Sequence, residues 1–150
     1  MATDTFTRSP EQSAAAPAQE PATAPLKLGE PTLDALPFLD HRMRRHVIDA
    51  RVAVPGHYLA LGDGAQEWLL PIDERISHVG RSVSADVRFE ELHVSRRHAI
   101  IARYGNHVRV LDDRSSEGTF VNGRRIVAID LQDSDVIRLG RLTLRYLRVR

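Results

Sequence analysis

Three short stretches of this chain carry residue types that could hold an anion. His78-Val79-Gly80-Arg81-Ser82 places an arginine directly after a glycine that ends an apolar stretch. Val94-Ser95-Arg96-Arg97-His98-Ala99 joins a hydroxyl, two guanidinium groups and a histidine just ahead of an apolar run. The third stretch runs from Asp113 through Arg114, Ser115, Ser116, Glu117 and Gly118 to Thr119-Phe120-Val121-Asn122-Gly123. A tetrahedral oxyanion needs guanidinium groups for charge-assisted, often bidentate hydrogen bonds, and hydroxyls or backbone amides to complete its shell. Arg81 and Arg96 offer the charge, and Ser95 and Ser116 the hydroxyls. If the three stretches are loops at one end of a scaffold, they make a shallow anion site without metal or cofactor.

The elements between them read as short strands. Apolar runs or alternations occupy residues 58–61, 67–71, 75–79, 87–89, 98–104, 108–112, 119–121, 124–126, 136–139 and 142–149. Turn residues separate them: Gly62-Asp63-Gly64, Gly80, Tyr104-Gly105-Asn106, Asn122-Gly123 and Gly140-Arg141. Short strands at close intervals, with no convincing helix between them, predict an all-β antiparallel sandwich whose binding chemistry sits in its loops. Asn122-Gly123 is the clearest two-residue hairpin, because both residues tolerate positive φ.

Ahead of this region the pattern changes. Six of the eight prolines fall in residues 1–37, beside many alanines and few large apolar side chains, a composition that predicts a disordered tail. Residues 38–50 space Phe38, Leu39, Met43, Val47 and Ile48 among Arg42, Arg44, Arg45 and His46, which predicts a short amphipathic helix closed by Pro55-Gly56. The organisation expected is therefore a tail over 1–37, a helix and linker over 38–56 and a sandwich over 57–150.

Composition narrows the function classes. Lysine and arginine total 21 against 20 acids, but the tail carries five acids against Arg8 and Lys27, so the positive charge lies on the body. That suits one acidic ligand. The chain has no cysteine, which removes disulfides, thiolate nucleophiles and cysteine-based zinc sites. No apolar run approaches a membrane span and no export signal precedes the tail, so a cytoplasmic protein without membrane contact is expected. The excess of arginine over lysine points to a GC-rich bacterial genome.

The three stretches taken together, in this order, resemble the signature of the forkhead-associated (FHA) family. The resemblance covers roughly residues 58–150. It implies a β-sandwich that binds phosphothreonine peptides through loops at one end, as an adaptor or regulator in Ser/Thr kinase signalling. Arg81 would be the main phosphate ligand, Gly80 would permit its turn, and Ser95 would donate to the phosphate with Arg96 adding a second cation. Ser116 would be a further contact, and His98, Gly118 and Asn122 would brace the loops. Glu117 departs from the family, which commonly has asparagine there. A carboxylate cannot donate to a peptide carbonyl and repels a dianion, so binding weaker than in a Glu117→Asn variant is expected, unless Glu117 pairs with an arginine such as Arg114. The resemblance also suggests that a phosphorylated tail threonine (Thr3, Thr5, Thr7, Thr23 or Thr32) could fold back onto the site.

Four other readings compete. Ser95, His98 and Asp112 or Asp113 superficially supply a hydrolase set, but the sequence has no Gly-x-Ser-x-Gly elbow. Seven histidines raise a metal, yet none form a paired ligand motif. Arg42, Arg44, Arg45, Arg96, Arg97, Arg124 and Arg125 could form a nucleic-acid surface, against which stands the scarcity of aromatic residues for base stacking. A phospho-independent interaction domain on the same fold is the remaining alternative.

Overall fold

The computed structural model describes Leu36, residues 38–62 and residues 66–150. The expected tail and its threonines lie outside the described residues. Among the described residues, twelve strands form two sheets packed face to face. They are β1 (Ile48–Asp49), β2 (Gly56–Gly62), β3 (Glu67–Pro71), β4 (Ile76–Gly80), β5 (Val87–Arg88) and β6 (Ala99–Tyr104), followed by β7 (His107–Asp112), β8 (Thr119–Val121), β9 (Arg124–Ile126), β10 (Ala128–Asp130), β11 (Val136–Leu139) and β12 (Leu142–Val149). The seven-stranded sheet runs β1-β3-β2-β12-β11-β8-β9 and the five-stranded sheet β10-β7-β6-β4-β5. Every pairing is antiparallel except β4 with β5. The expected sandwich is present, with β1 and β10 as short edge strands that the sequence pattern does not reveal.

Alternation decides which side chains meet between the sheets. Along β7, Val108 and Val110 turn inward while His107 and Arg109 face water. They meet Ile101 and Ala99 of the same sheet and Leu59, Ile137, Leu139 and Leu144 of the other. β2 breaks the alternation, with five consecutive buried residues, His57 to Leu61. A strand reads as a continuous apolar run when both its faces are covered. Leu59 and Leu61 enter the main core, whereas Tyr58 and Ala60 join Leu69 in a second cluster on the outer face, packed against Ile48, Ala50 and Ala53.

The segment before β2 is therefore a strap built into the sandwich. Its helix, α1 (His41–Arg44), is a single turn, shorter than the span 38–50 that the spacing suggests. Asp40 caps it, accepting from the Arg42 amide at 2.7 Å. Tertiary pairing ends it: Val47 is drawn into the main core, and Ile48 and Asp49 pair with Leu69 and Trp68 of β3. Leu36 and Leu39 are buried in the same core, each such side chain contributing about 1.5–3 kcal/mol.

The Asn122-Gly123 turn has φ of 52° and 84°, the left-handed pair that a tight hairpin of this kind requires. Asn122 also donates from Nδ2 to Asp135 (2.9 Å) and accepts the Val136 amide on Oδ1 (2.9 Å), tying the hairpin to the turn before β11.

Candidate phosphopeptide-binding groove

At the end of β4 the chain must pass close beneath the 95–96 loop. Gly80 makes this possible: a Cβ there would stand 2.8 Å from the Arg96 carbonyl carbon and closer still to its oxygen. Two backbone bonds clamp the loop onto the strand end, Arg81 N–H to Ser95 O (2.9 Å) and Ser82 N–H to Arg96 O (3.1 Å). Gly80 and Arg81 are thus coupled by geometry. The glycine brings the loop down, and the arginine emerges beside it.

His98 joins the second loop to the third. It is fully buried, and its Nδ1 accepts the Ser95 amide at 3.0 Å. Because Nδ1 faces a donor, the neutral ring carries its proton on Nε2, which donates to Gly118 O at 3.0 Å. Both ring nitrogens are spent on backbone. The hydrolase arrangement is absent, since the histidine addresses the Ser95 amide and not its hydroxyl.

The third loop is closed by Asp112. Its carboxylate accepts from the Ser115 amide (3.3 Å), the Ser115 hydroxyl and the Thr119 hydroxyl (2.8 Å). Burial pushes this carboxyl up, but the hydrogen bonds from Ser115 and Thr119 outweigh it and hold the group below its ordinary value. The loop then crosses to the second one: the Ser116 amide donates to Ser95 Oγ at 2.9 Å. Ser95 Oγ is positioned by that bond, and its own proton remains available for an oxyanion.

These connections bring Arg81, Ser95, Arg96 and Ser116 together along one open groove, which Arg97, Asp113 and Arg114 complete. Arg81 is half-buried, and its Nε donates to Val94 O at 3.1 Å. Among the described residues nothing takes its two terminal nitrogens. Arg97 grips Asp113 with two bonds of 3.1 Å, so one cation of the groove is neutralised in place. Glu117 lies outside the groove lining, exposed and without an ion pair among the described residues. Gly118, at φ 95°, lies beneath the Arg125 side chain: a Cβ there would come within 2.7 Å of Nε.

Arg97, Asp113 and Arg114 are the lining residues that sequence reasoning leaves unassigned. The signal was adjacency, since each stands next to an assigned residue or at the start of the third stretch. The basic residues of the strap have local partners instead: Arg42 donates to Asp40 and Val83 O, and Arg44 to Leu36 O.

Comparison with known proteins decides the family. Residues 78–140, which contain all three loops, match the sequence profile of the FHA domain. An FHA domain solved in a study of phosphothreonine-dependent FHA interactions superimposes with a TM-score of 0.58 at 32% identity, covering 63% of this chain and 97% of that domain.

The chain belongs to the FHA family.

A second solved FHA domain, that of FhaA in complex with the intracellular domain of Rv3910, shares 33% identity at a TM-score of 0.56, over 61% of this chain and 99% of that domain. The glycogen accumulation regulator GarA of Mycobacterium tuberculosis is 32% identical over 76 residues, 51% of this chain. That match spans 47% of GarA's own length, so this chain covers about half of that relative.

Proposed function

We propose that this FHA domain reads phosphothreonine in partner proteins, serving in the cytoplasm as an adaptor or regulator of Ser/Thr kinase signalling and catalysing no reaction. The observation that carries the reading is the state of the groove. Arg81, Arg96, Ser95 and Ser116 converge there, and the guanidinium ends and the hydroxyl protons are not consumed by the protein's own carboxylates. Each charge-assisted hydrogen bond to a bound dianion contributes about 1.5–3 kcal/mol. Arg81 supplies the principal pair, Ser95 Oγ–H and Ser116 Oγ–H complete the shell, and Arg96 adds field from the rim. The preference for threonine follows the FHA family, and the phosphothreonine-dependent interactions of the solved relative support it. A threonine-phosphorylated protein made by a cellular kinase is the natural ligand class. The threonines of the N-terminal tail are a candidate source within the same chain.

The test is calorimetric titration of one peptide in three forms, bearing phosphothreonine, phosphoserine or unmodified threonine, against the full chain. The reading predicts affinity for the phosphothreonine form at least about 100-fold above that for the unmodified one, a gap of about 2.7 kcal/mol. Equal binding of the phosphothreonine and unmodified forms would overturn it.

A further inference from the structure

The groove holds more positive charge than one phosphate consumes. Four arginines line it, Arg81, Arg96, Arg97 and Arg114, against a single carboxylate, that of Asp113. Arg97 is matched to Asp113 in a bidentate pair, which leaves Arg81, Arg96 and Arg114 to meet the ligand. Arg81 is set beside Ser95 at the floor, tethered to the Val94 carbonyl. Arg114 is held differently. It is exposed at the rim, with φ of 63°, in the left-handed region that a residue other than glycine, asparagine or aspartate seldom adopts. Its neighbour Asp113 is buried and anchored to His98 O by its amide (2.8 Å), and Ser115 is anchored to Asp112, so both sides of the turn are fixed around it. A glycine would fit this turn with less strain, yet the position carries a long cation with no partner among the described residues. Strain of this kind gathers where a side chain serves a ligand.

We infer that Arg114 is a specificity-determining residue that reads an acidic side chain flanking the phosphothreonine, so that the ligands of this groove are acidic-flanked phosphothreonine peptides. The inference rests on the phosphothreonine reading proposed above and names the peptide class that it selects. The phosphate meets Arg81 and Arg96, and a carboxylate a few residues away along the peptide meets Arg114 at the rim.

The experiment titrates the full chain with phosphothreonine peptides of otherwise uncharged sequence, carrying glutamate, alanine or lysine at each of the three positions on either side of the phosphothreonine. Wild type is compared with Arg114→Gly and Arg114→Gln. An exposed ion pair contributes modestly, so the wild type should favour glutamate over alanine by about three- to fivefold at one or two positions, and more strongly over lysine, with the ratio shrinking at high salt. In both variants that ratio should fall to about one. Arg114→Gly should melt no lower than wild type, because glycine relieves the left-handed turn, and a purely structural arginine would give the opposite result. The inference is overturned if wild type shows no acidic preference, or if the preference persists in both variants. Absence of all phosphopeptide binding in wild type would remove the parent reading as well, and the alanine-flanked peptide reports that outcome separately.

Discussion

Arg81 and Arg88 stand seven residues apart on either side of one turn, and the molecule uses them in opposite ways. Arg88, in β5, ties the strap to the sandwich: its guanidinium donates to Asp40 (2.9 Å), to Glu90 (3.0 Å) and, through Nε, to Arg81 O (3.0 Å). Asp40 is buried, and the desolvation that would raise its carboxyl is outweighed by its bonds to Arg88 and Arg42, so it stays below its ordinary value. Arg81 faces the groove, with one bond to a carbonyl and its terminal nitrogens left over. Residue type does not separate a structural arginine from one proposed to meet a ligand. What separates them is whether the fold supplies the counter-charge. In the strap it does, at Asp40 and again where Asp49 takes the Arg51 guanidinium and is held at about 2. In the groove it supplies Asp113 for Arg97 and, among the described residues, no carboxylate for Arg81.

The contrast can be broken at its scaffold first. Gly80→Val would drive a branched side chain into the Arg96 carbonyl, backbone that cannot yield cheaply, and should cost about 3–4 kcal/mol in urea unfolding while displacing the Ser95 loop. Arg88→Ala should cost about 2–3 kcal/mol by leaving buried Asp40 with Arg42 as its remaining arginine partner among the described residues, yet phosphopeptide affinity should change less than twofold. Glu117→Asn should tighten phosphopeptide binding about fivefold in calorimetry, since it removes a carboxylate from the loop facing a dianion across a mostly aqueous path.

The smallest effect is a pH dependence at His57, in β2 of the seven-stranded sheet. His57 is buried, its Nδ1 2.6 Å from the Tyr146 hydroxyl, and burial, with the charges of Arg103 and Arg148, pushes its pKa below the ordinary histidine value. The unfolded chain then takes up a proton near pH 6.5 while the folded chain resists it, so stability is complete above that pH and declines as the pH falls below it. Thermal melts between about pH 7 and 5 should show this slope, and His57→Gln should flatten it.

The sequence made the sandwich legible because its strands are bounded by glycine and asparagine turns and alternate where one face is wet; β3, β8, β9, β11 and β12 lie where the pattern puts them. The spacing of Leu39, Met43 and Val47 suggests a longer helix than the strap forms, because the pairing of Ile48 and Asp49 with β3 depends on contacts that no local pattern encodes. That Arg81, Ser95, Arg96 and Ser116 share one groove was legible from the order of three motifs, while the contacts they make with a ligand belong to the proposal. Arg97 and Asp113 were not legible, because their pairing joins residues sixteen apart through the return of β7 beside β6. The left-handed turn at Arg114 was hidden for another reason: arginine is not a residue that announces positive φ.

Among the described residues, no carboxylate takes the terminal nitrogens of Arg81, the arginine proposed to hold the phosphate. The most direct measurement is calorimetry of a phosphothreonine peptide against wild type and Arg81→Ala, with the urea midpoint of each protein recorded alongside. The account predicts that Arg81→Ala lowers affinity by about 30-fold or more, the equivalent of about 2 kcal/mol, with an unfolding midpoint close to wild type. Unchanged affinity in a folded Arg81→Ala protein would contradict it.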